Sequence, residues 1–315
     1  MRYFIFLNYL LIVFFIFGCE PREKHELILD LEVGKTYTIE QETSQNFKQE
    51  FMGMDIDMKH RFNVVYDLLV KEYENDRYTL EFKYDSIAMD VEGSGISMSV
   101  SSGNMVNADD TLSMIFRAFT GKSFTVGVTN TGEISFVEGV EEFFDLVVGE
   151  LNFVEAEDER EAINAFDQFI GEGGFKDNIS QLTNYLPGKP VSVGQKWEND
   201  HIQSNMGFTG KWANEWQLKE IDEEIAKVIG VSSFSILQIE DMDESAELMP
   251  FAEFGMDMEM EGEQKMDHKI DRATGLIIDG VVEAKMEGYF KIGEGEKGMN
   301  IPVNFQITSK IRWIK

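Results

Sequence analysis

Apolar and polar residues alternate along most of the chain from residue 27 onward, in long runs separated by short turns. Within 77–91, for example, Tyr78, Leu80 and Phe82 share one face of an extended strand, and polar or charged residues occupy the positions between them. Such alternation predicts half-buried β-strands, and long strands joined by short turns predict an antiparallel meander. The pattern therefore predicts a mainly β (α+β) fold.

Helical periodicity interrupts this strand pattern. Apolar residues spaced three and four apart predict a short helix at 110–119 and three further helices within 137–186. The first of these three carries an apolar stripe of Val140, Phe143, Phe144, Val147, Val148 and Leu151. The second covers 162–170, and the third presents Ile179, Leu182 and Leu186 before it ends at Pro187. We expect these apolar faces to pack against the sheet.

Three short motifs occur twice in the same order, which predicts an internal duplication. The pairs are Val33-Gly34-Lys35-Thr36-Tyr37 with Val193-Gly194-Gln195-Lys196-Trp197, Met52-Gly53-Met54 with Met206-Gly207-Phe208, and Thr131-Gly132-Glu133-Ile134 with Thr274-Gly275-Leu276-Ile277. The alternative is that similar meanders reuse similar turns. We interpret the chain as two related, curled antiparallel sheets at 27–136 and 187–315, with a helical insert at 137–186. The pattern leaves open whether the two sheets form one layer or two domains.

The N-terminus has the pattern of a processing signal. One basic residue, Arg2, precedes an apolar run from Phe4 to Phe17 that only Asn8 interrupts. This run is shorter than the roughly 20 apolar residues of a membrane-spanning helix, so a secretory signal peptide is the better interpretation. The run ends at Gly18 and Cys19, and Cys19 is the one cysteine of the chain.

The segment Ile16-Phe17-Gly18-Cys19 resembles the lipobox of bacterial lipoprotein precursors. This resemblance implies cleavage between Gly18 and Cys19 and a lipid on the Cys19 thiol, with 1–18 as signal peptide and 19–26 as lipidated tether. It also implies an outer-membrane destination, because the residue after the cysteine is Glu20 and not aspartate. The side of that membrane stays open, and a buried free cysteine is the alternative to lipidation.

Acidic residues far outnumber basic ones, with a formal net charge of −30. Removal of 1–18 takes away Arg2, so the mature side chains sum to 27 − 58 = −31. Nucleic-acid binding needs a basic surface, and adsorption to anionic lipids needs basic clusters. We therefore expect no nucleic-acid partner, and a membrane contact made through the lipid on Cys19.

Residues with catalytic or metal-binding chemistry form no recognisable motif. The four histidines, His25, His60, His201 and His268, show no metal-ligand spacing, and we expect them at the surface. A Gly-x-Ser-x-Gly motif is missing from the sequence. We therefore expect neither an enzyme nor a cofactor, although catalytic groups can converge from distant strands. Weak calcium binding by Asp55 and Asp57, or by residues 241–244, is an alternative.

Methionine is frequent, with 17 residues, and recurs at alternate strand positions. The relevant residues are Met54, Met58, Met256, Met258 and Met260, and acidic residues separate the last three. Three interpretations stay open: an inward core face, a copper(I) site built from soft sulfur ligands, and the lining of a groove for an acyl chain or hydrophobic peptide.

The predicted architecture resembles the half-barrel of bacterial lipoprotein-carrier and lipid-binding proteins. The motif order Val-Gly-x-x-aromatic, Met-Gly-Met-Asp and Thr-Gly behind a lipobox is similar to that of a family of uncharacterised bacterial envelope lipoproteins, which brings no known activity. We therefore expect a non-enzymatic, membrane-anchored envelope lipoprotein that binds a hydrophobic ligand between sheet and helices. The alternative is a structural or assembly partner of another envelope protein.

Overall fold

A computed structural model describes residues 23–51, 53–103, 111–151, 175–176, 179–205, 208–238, 256–292 and 299–314. Its strands are β1 (Thr36–Phe51), β2 (Met54–Glu74), β3 (Arg77–Gly93), β4 (Ile96–Ser101), β5 (Ser123–Thr129), β6 (Ile134–Glu138), β7 (Lys196–Glu198), β8 (His201–Asn205), β9 (Phe208–Ile221), β10 (Ile225–Gln238), β11 (Met256–Asp271), β12 (Ile277–Ile292) and β13 (Met299–Trp313). Helices α1 (Thr111–Phe119) and α2 (Val140–Leu151) complete the described elements. The prediction of a mainly β, antiparallel fold is confirmed.

All of these strands belong to one antiparallel sheet. Their order is β6-β5-β3-β2-β1-β13-β12-β11-β10-β9-β7, with β4 paired to β3 and β8 paired to β9. The two predicted sheets meet where β1 pairs with β13, in a register that runs from Ile39 opposite Trp313 to Gln49 opposite Val303. The two halves therefore form one continuous layer.

The first repeated motif occupies the same structural position in both halves. The Gly34 amide donates a 2.8 Å hydrogen bond to the Val70 carbonyl, and the Gly194 amide donates a 2.7 Å bond to the Leu218 carbonyl. Both glycines have positive φ, at 87° and 83°, which an L side chain adopts only at a cost. Each turn thus leads the chain into the first strand of its half.

The third motif pair also occupies matching turns, and the second falls at matching strand junctions, where Met52, Met206 and Gly207 lie outside the described residues. Two residues join β1 to β2 and two join β8 to β9, while Gly132 and Gly275 take φ values of 90° and 75° in the β5–β6 and β11–β12 turns. Strands β1, β2, β3, β5 and β6 accordingly correspond to β7 with β8, β9, β10, β11 and β12. This correspondence supports the predicted duplication.

The sheet is strongly curled at the end that carries these turns. In sheet order β5 and β11 are six strands apart, which would separate them by about 29 Å in a flat sheet. Yet the Leu29 amide bonds to Asn130 just after β5, and the next amide, Asp30, bonds to Thr274 just after β11. Adjacent residues of one segment therefore tie the two halves together. The tie begins at His25, inside the predicted tether, which exchanges backbone hydrogen bonds with Val191.

The helical segments cover the face of the sheet that we call the inner face, which carries Tyr66, Phe124 and Ile311. Helix α2 begins after Gly139, has acidic residues in its first turn that suit a helix N-terminus, and buries Val140, Phe143, Phe144, Val147 and Val148. The predicted first stripe is thus confirmed, whereas the predicted helix at 162–170 lies outside the described residues. In the described part of the chain, no helix combines the length and the apolar character needed to cross a bilayer.

The two faces of the sheet differ sharply in charge. Among strand residues whose side chains the structure describes, no Asp, Glu, Lys or Arg takes a paired position on the inner face. Charged residues point outward and form cross-strand ion pairs, such as Lys269 with Asp279 at 2.9 Å. Exposed pairs of this kind contribute about 0–1 kcal/mol each, so the outward charges mainly keep this face in water.

Candidate functional site

A pocket of about 310 Å³ opens on the inner face, between strands β1–β3 and the segment 175–182. Its wall is mainly aromatic and aliphatic, with a few uncharged polar groups. The lining residues are Gln41, Thr43, Phe62, Val64, Tyr66, Phe82, Tyr84, Phe175, Ile179, Gln181 and Leu182. A volume near 300 Å³ with apolar walls and a few polar groups is at the lower end of the range of small-molecule pockets.

Strand alternation and helical packing build this pocket together. Residues Phe62, Val64 and Tyr66 are spaced two apart on β2 and therefore share the inner face. On the opposite wall, Phe175 packs against Phe124 with ring centroids 4.4 Å apart, which holds the segment over the sheet. The pocket thus lies where helical cover gives way to open sheet.

Tyr66 is a lining residue of the pocket, but its hydroxyl oxygen is covered. Its side chain is only 3% exposed and stacks on Phe82 with centroids 4.8 Å apart. The hydroxyl oxygen is buried and finds no hydrogen-bond partner among the described residues. Burial, and secondarily the nearby Tyr84, raise the pKa of Tyr66, so the hydroxyl keeps its proton. An unsatisfied buried polar group costs about 1–3 kcal/mol.

The remaining polar groups of the pocket are uncharged. The Gln41 amide donates to the Ser309 hydroxyl at 3.3 Å, and the Thr43 and Ser309 hydroxyls lie 2.9 Å apart. Gln181 is exposed at the other wall. Hydrogen bonding here is therefore available to a ligand without a charged partner.

A second cavity lies deeper in the core and shares Phe82, Ile179 and Leu182 with the pocket. Its volume is about 30 Å³, and leucine, isoleucine and valine side chains form most of its wall. A void with so apolar a lining offers a water molecule too few hydrogen-bond partners to hold it. The three shared side chains therefore separate the open pocket from a closed core.

A wider groove of about 730 Å³ lies over β9–β12 and is lined largely by outward-facing residues. Small residues such as Ala213 and Ser233 are exposed along it, and Lys211, Lys285 and Glu261 carry charges of both signs. Water solvates such a surface without cost. The smaller inner pocket, with its mainly aromatic and aliphatic wall, is therefore the better candidate site.

The five methionines of the groove prediction belong to strands of this sheet, and neither of the two with a described side chain lines the pocket. Met58 is half-buried opposite Phe47, and Met260 is buried beside Val303. Met54, Met256 and Met258 belong to β2 and β11, but their side chains lie outside the described residues. Met260 packs into an apolar cluster near the far ends of the strands, in which the Phe47 and Phe305 ring centroids lie 5.0 Å apart.

The expectation of a surface position is wrong for His268, which is 1% exposed. It shares the inward face of β11 with Met266 and Ile270, and its ring lies 5.6 Å from Trp216 and 5.8 Å from Tyr185. Burial lowers the pKa of His268 to about 4, against a smaller opposite effect of Asp267. The charged neighbours in sequence misled the prediction, because they occupy the opposite face of the strand.

His60 also lies on the inner face of β2, two residues before Phe62. Its Nε2 atom is buried and has no hydrogen-bond partner among the described residues. Within the described chain, no three His, Cys, Asp or Glu side chains converge as metal ligands. Two calcium sites were the alternative prediction. At the first, the Asp57 carboxylate lies 3.6 Å from the Lys48 ammonium group, and the second, 241–244, lies outside the described residues.

In the second half of the sheet, aromatic side chains occupy the matching position among the residues that the structure describes. By register, Trp212 of β9 corresponds to Val64 of β2. Its ring is stacked between His201 at 5.4 Å and Phe234 at 5.5 Å. Aromatic side chains thus fill the space that stays open in the first half.

Residues 75–277, which are 203 of the 315, match a family described as "Family of unknown function (DUF6263)". The chain belongs to this family. The matched range includes the pocket residues of β3 and of the segment 175–182, while the pocket residues of β1 and β2 precede it. No curated protein has a significantly similar sequence.

Several solved structures show distant similarity to this DUF6263 chain. Lipovitellin, in a structure titled for lipid–protein interactions, is 10% identical with a TM-score of 0.45, and the similarity covers 91% of this chain but only 26% of lipovitellin. An outer membrane channel from Pseudomonas putida F1 is 8% identical, with a TM-score of 0.23 over 94% of this chain and 100% of the channel. OpdQ from Pseudomonas aeruginosa is 6% identical, with a TM-score of 0.25 over 89% and 99%. At these scores the similarity carries no information on function.

Proposed function

We propose that this protein is a non-enzymatic envelope lipoprotein that binds a hydrophobic ligand in the inner-face pocket. The observation that supports binding is the open, largely apolar pocket of about 310 Å³ between the sheet and residues 175–182. Apolar side chains around an opening gain free energy when a ligand covers them, at about 25 cal/mol per Å² removed from water. An elongated ligand is favoured, because the side chains at alternate positions of β2 continue the inner face from the pocket towards Met58.

The same proposal places the protein at a membrane, with a lipid on Cys19 as anchor and the outer membrane as destination. The lipobox-like sequence supports this part. The described fold begins with His25 held against Val191, only a few residues after Cys19. A tether this short keeps the folded part close to the bilayer from which a lipid would come.

A larger side chain that fills the pocket tests whether the ligand binds there. We expect Val64→Trp to abolish ligand binding, because Val64 lines the pocket and an indole would occupy much of its volume. Val65→Trp is the matched control, because Val65 is the next residue of β2 and faces the opposite side, between Glu40 and Ser86. Mass spectrometry of lipids that co-purify from native membranes after gentle extraction, together with Nile red binding, provides the measurement.

The expected result is at least tenfold less bound lipid in Val64→Trp and unchanged binding in Val65→Trp, with both variants folded by circular dichroism. A wild-type protein that purifies empty and binds no Nile red would contradict the proposed function. Equal ligand content in the two folded variants would move the binding site away from this pocket.

A further inference from the structure

Three side chains close the pocket on its core side, and we call them the wall. They are Phe82, Ile179 and Leu182, and each of them lines both the open pocket and the small cavity behind it. Ile179 and Leu182 are still 6% and 8% exposed, so part of each side chain borders open space. A ligand that fills the pocket towards the core therefore meets the wall.

The members of the wall differ in how firmly they are held. The Phe82 ring lies between two others, with its centroid 4.8 Å from Tyr66 and 4.9 Å from Phe124, and both neighbours are nearly parallel to it. Stacked aromatic rings of this kind stabilise one another, so Phe82 is a fixed part of the sheet. Ile179 and Leu182 come instead from the segment 175–182 and belong to no strand.

The backbone beside Leu182 is nevertheless well anchored. The Leu182 amide donates a 3.0 Å hydrogen bond to the Ile179 carbonyl, and the Thr183 hydroxyl donates a 2.7 Å bond to the Gly132 carbonyl. A Cβ on Gly132 would lie 2.8 Å from the Thr183 carbonyl oxygen, which shows how closely the two backbones approach. A smaller side chain at position 182 should therefore leave space, because the segment cannot sink into it.

The space behind the wall accepts only hydrocarbon. Among the described residues that line the cavity, Thr183 alone carries a polar side-chain atom, and that hydroxyl already bonds to Gly132. A polar group that entered here would lose its hydration without a new partner, which is unfavourable. The neutral polar groups of the pocket belong to other lining residues, Gln41, Thr43 and Gln181. The ligand end that meets the wall is therefore its apolar end.

We infer that Ile179 and Leu182 are specificity-determining residues, which set how far the apolar chain of a ligand reaches into the core. The chain ends against these two side chains, and the cavity of about 30 Å³ behind them stays closed to it. The site therefore prefers chains up to a limited length. This inference rests on the proposed function, since it concerns the same pocket.

A series of uncharged probes that differ only in chain length tests the inference: 1-octanol, 1-decanol, 1-dodecanol and 1-tetradecanol. Each is measured by displacement of Nile red from the full-length mature protein. Leu182→Ala removes three carbon atoms from the wall and joins the cavity to the pocket. Each further methylene that becomes buried strengthens binding about fourfold. We expect the affinity ratio of 1-tetradecanol to 1-octanol to rise at least tenfold above that of wild type.

Two further variants make the test specific. Leu182→Val removes a single carbon atom, is the milder change, and should raise the same ratio about fourfold. Leu80→Ala is the matched control, because Leu80 is a buried leucine that lines the cavity but not the pocket. It enlarges the cavity behind an intact wall, so the ratio should equal that of wild type. Circular dichroism verifies the fold of each variant, and Leu182→Val decides if Leu182→Ala does not fold.

The possible failures have different meanings. An unchanged ratio in the folded Leu182 variants overturns the inference and leaves the hydrophobic pocket in place. A ratio that rises as much in Leu80→Ala as in Leu182→Ala also overturns it, because the wall would then not be what limits the chain. If none of the four alcohols displaces Nile red from the wild-type protein, the proposed function fails as well.

Discussion

Tyr66 and His268 are both buried polar side chains that keep a hydrogen-bonding atom without a described partner, but their surroundings differ. Tyr66 lines an open pocket, whereas His268 is enclosed by Trp216 and Tyr185. The Tyr66 hydroxyl oxygen is nevertheless covered, although the residue lines the pocket. The imidazole of His268 is instead kept neutral inside the core, and this has a consequence for stability at low pH.

Stability should fall on acidification because of His268. The pKa of His268 is about 4 in the folded protein and 6.5 when unfolded, so between these values the unfolded chain binds a proton that the folded chain does not. The free energy of unfolding therefore decreases as pH falls from 6.5 to 4, by about 3 kcal/mol in total from this residue, and levels off below. Above pH 6.5 the residue contributes no pH dependence.

The measurement is urea unfolding at pH 7.5 and pH 5 for wild type and His268→Leu. Leucine fits the apolar surroundings and cannot be protonated, so the variant should lose about 2 kcal/mol less than wild type between these pH values. Parallel pH profiles of the two proteins would show that His268 is not responsible.

Sequence could predict the pattern around these residues but not their roles. The spacing of Phe62, Val64 and Tyr66 is a recognisable inward stripe, yet the pocket depends on Phe175, more than 100 positions away. The Tyr66 hydroxyl has no hydrogen-bond partner among the described residues, and this depends on all the side chains that pack around it. The methionines were conspicuous by composition, whereas the pocket walls are made of ordinary aromatic and aliphatic residues.

At the scale of elements, two turns with positive-φ glycines differ in how closely the rest of the fold packs against them. Gly34 and Gly275 both have positive φ, at 87° and 75°. A Cβ on Gly34 would meet nothing within 4 Å, while one on Gly275 would lie 2.1 Å from the Ile28 carbonyl oxygen. The β11–β12 turn therefore packs directly against the N-terminal segment that ties the halves together.

Alanine substitutions at Gly34 and Gly275 should separate the cost of backbone strain from the cost of steric overlap with neighbouring atoms. Gly34→Ala is expected to reduce the free energy of unfolding by about 1–2 kcal/mol, the cost of the left-handed conformation alone. Gly275→Ala should cost about 3–5 kcal/mol, because the same strain is combined with overpacking against backbone that cannot rotate away. Chemical denaturation measures both, and equal losses would contradict the close contact at Gly275.

Element types were largely predictable, because alternation and helical spacing are local properties of the chain. The repeated glycine motifs also predicted matching turns, because a backbone position with positive φ favours glycine, as at Gly132 and Gly275. The sheet order was not predictable, because the pairing of β1 with β13 joins residues 266 positions apart, such as Thr43 and Ser309.

At the scale of the whole molecule, the outward charges oppose any electrostatic attraction to a membrane. The net charge of −30 includes only 28 lysine and arginine residues against 58 acidic ones. Anionic lipid head groups would repel such a surface. Membrane attachment then depends on the proposed lipid alone.

Cys19→Ser should accordingly release the protein completely. We expect the wild-type protein to sediment with membranes at both low and high salt, and the variant to stay in the supernatant in both, because no basic surface substitutes for the acyl chains. Fractionation with immunoblotting, and an intact mass of the mature protein, provide the readout. A variant that has lost residues 1–18 and still sediments, or a wild-type protein of unmodified mass, would contradict lipidation.

The pairing of β1 with β13 also constrains how the protein reaches its folded state. Strand β1 is synthesised near the start of the chain, but one of its edges stays unpaired until the last strand arrives. Such long-range pairing slows folding, and a long unpaired edge invites association with other chains. A chain of this topology therefore benefits from helper proteins that shield the early strands until β13 has emerged.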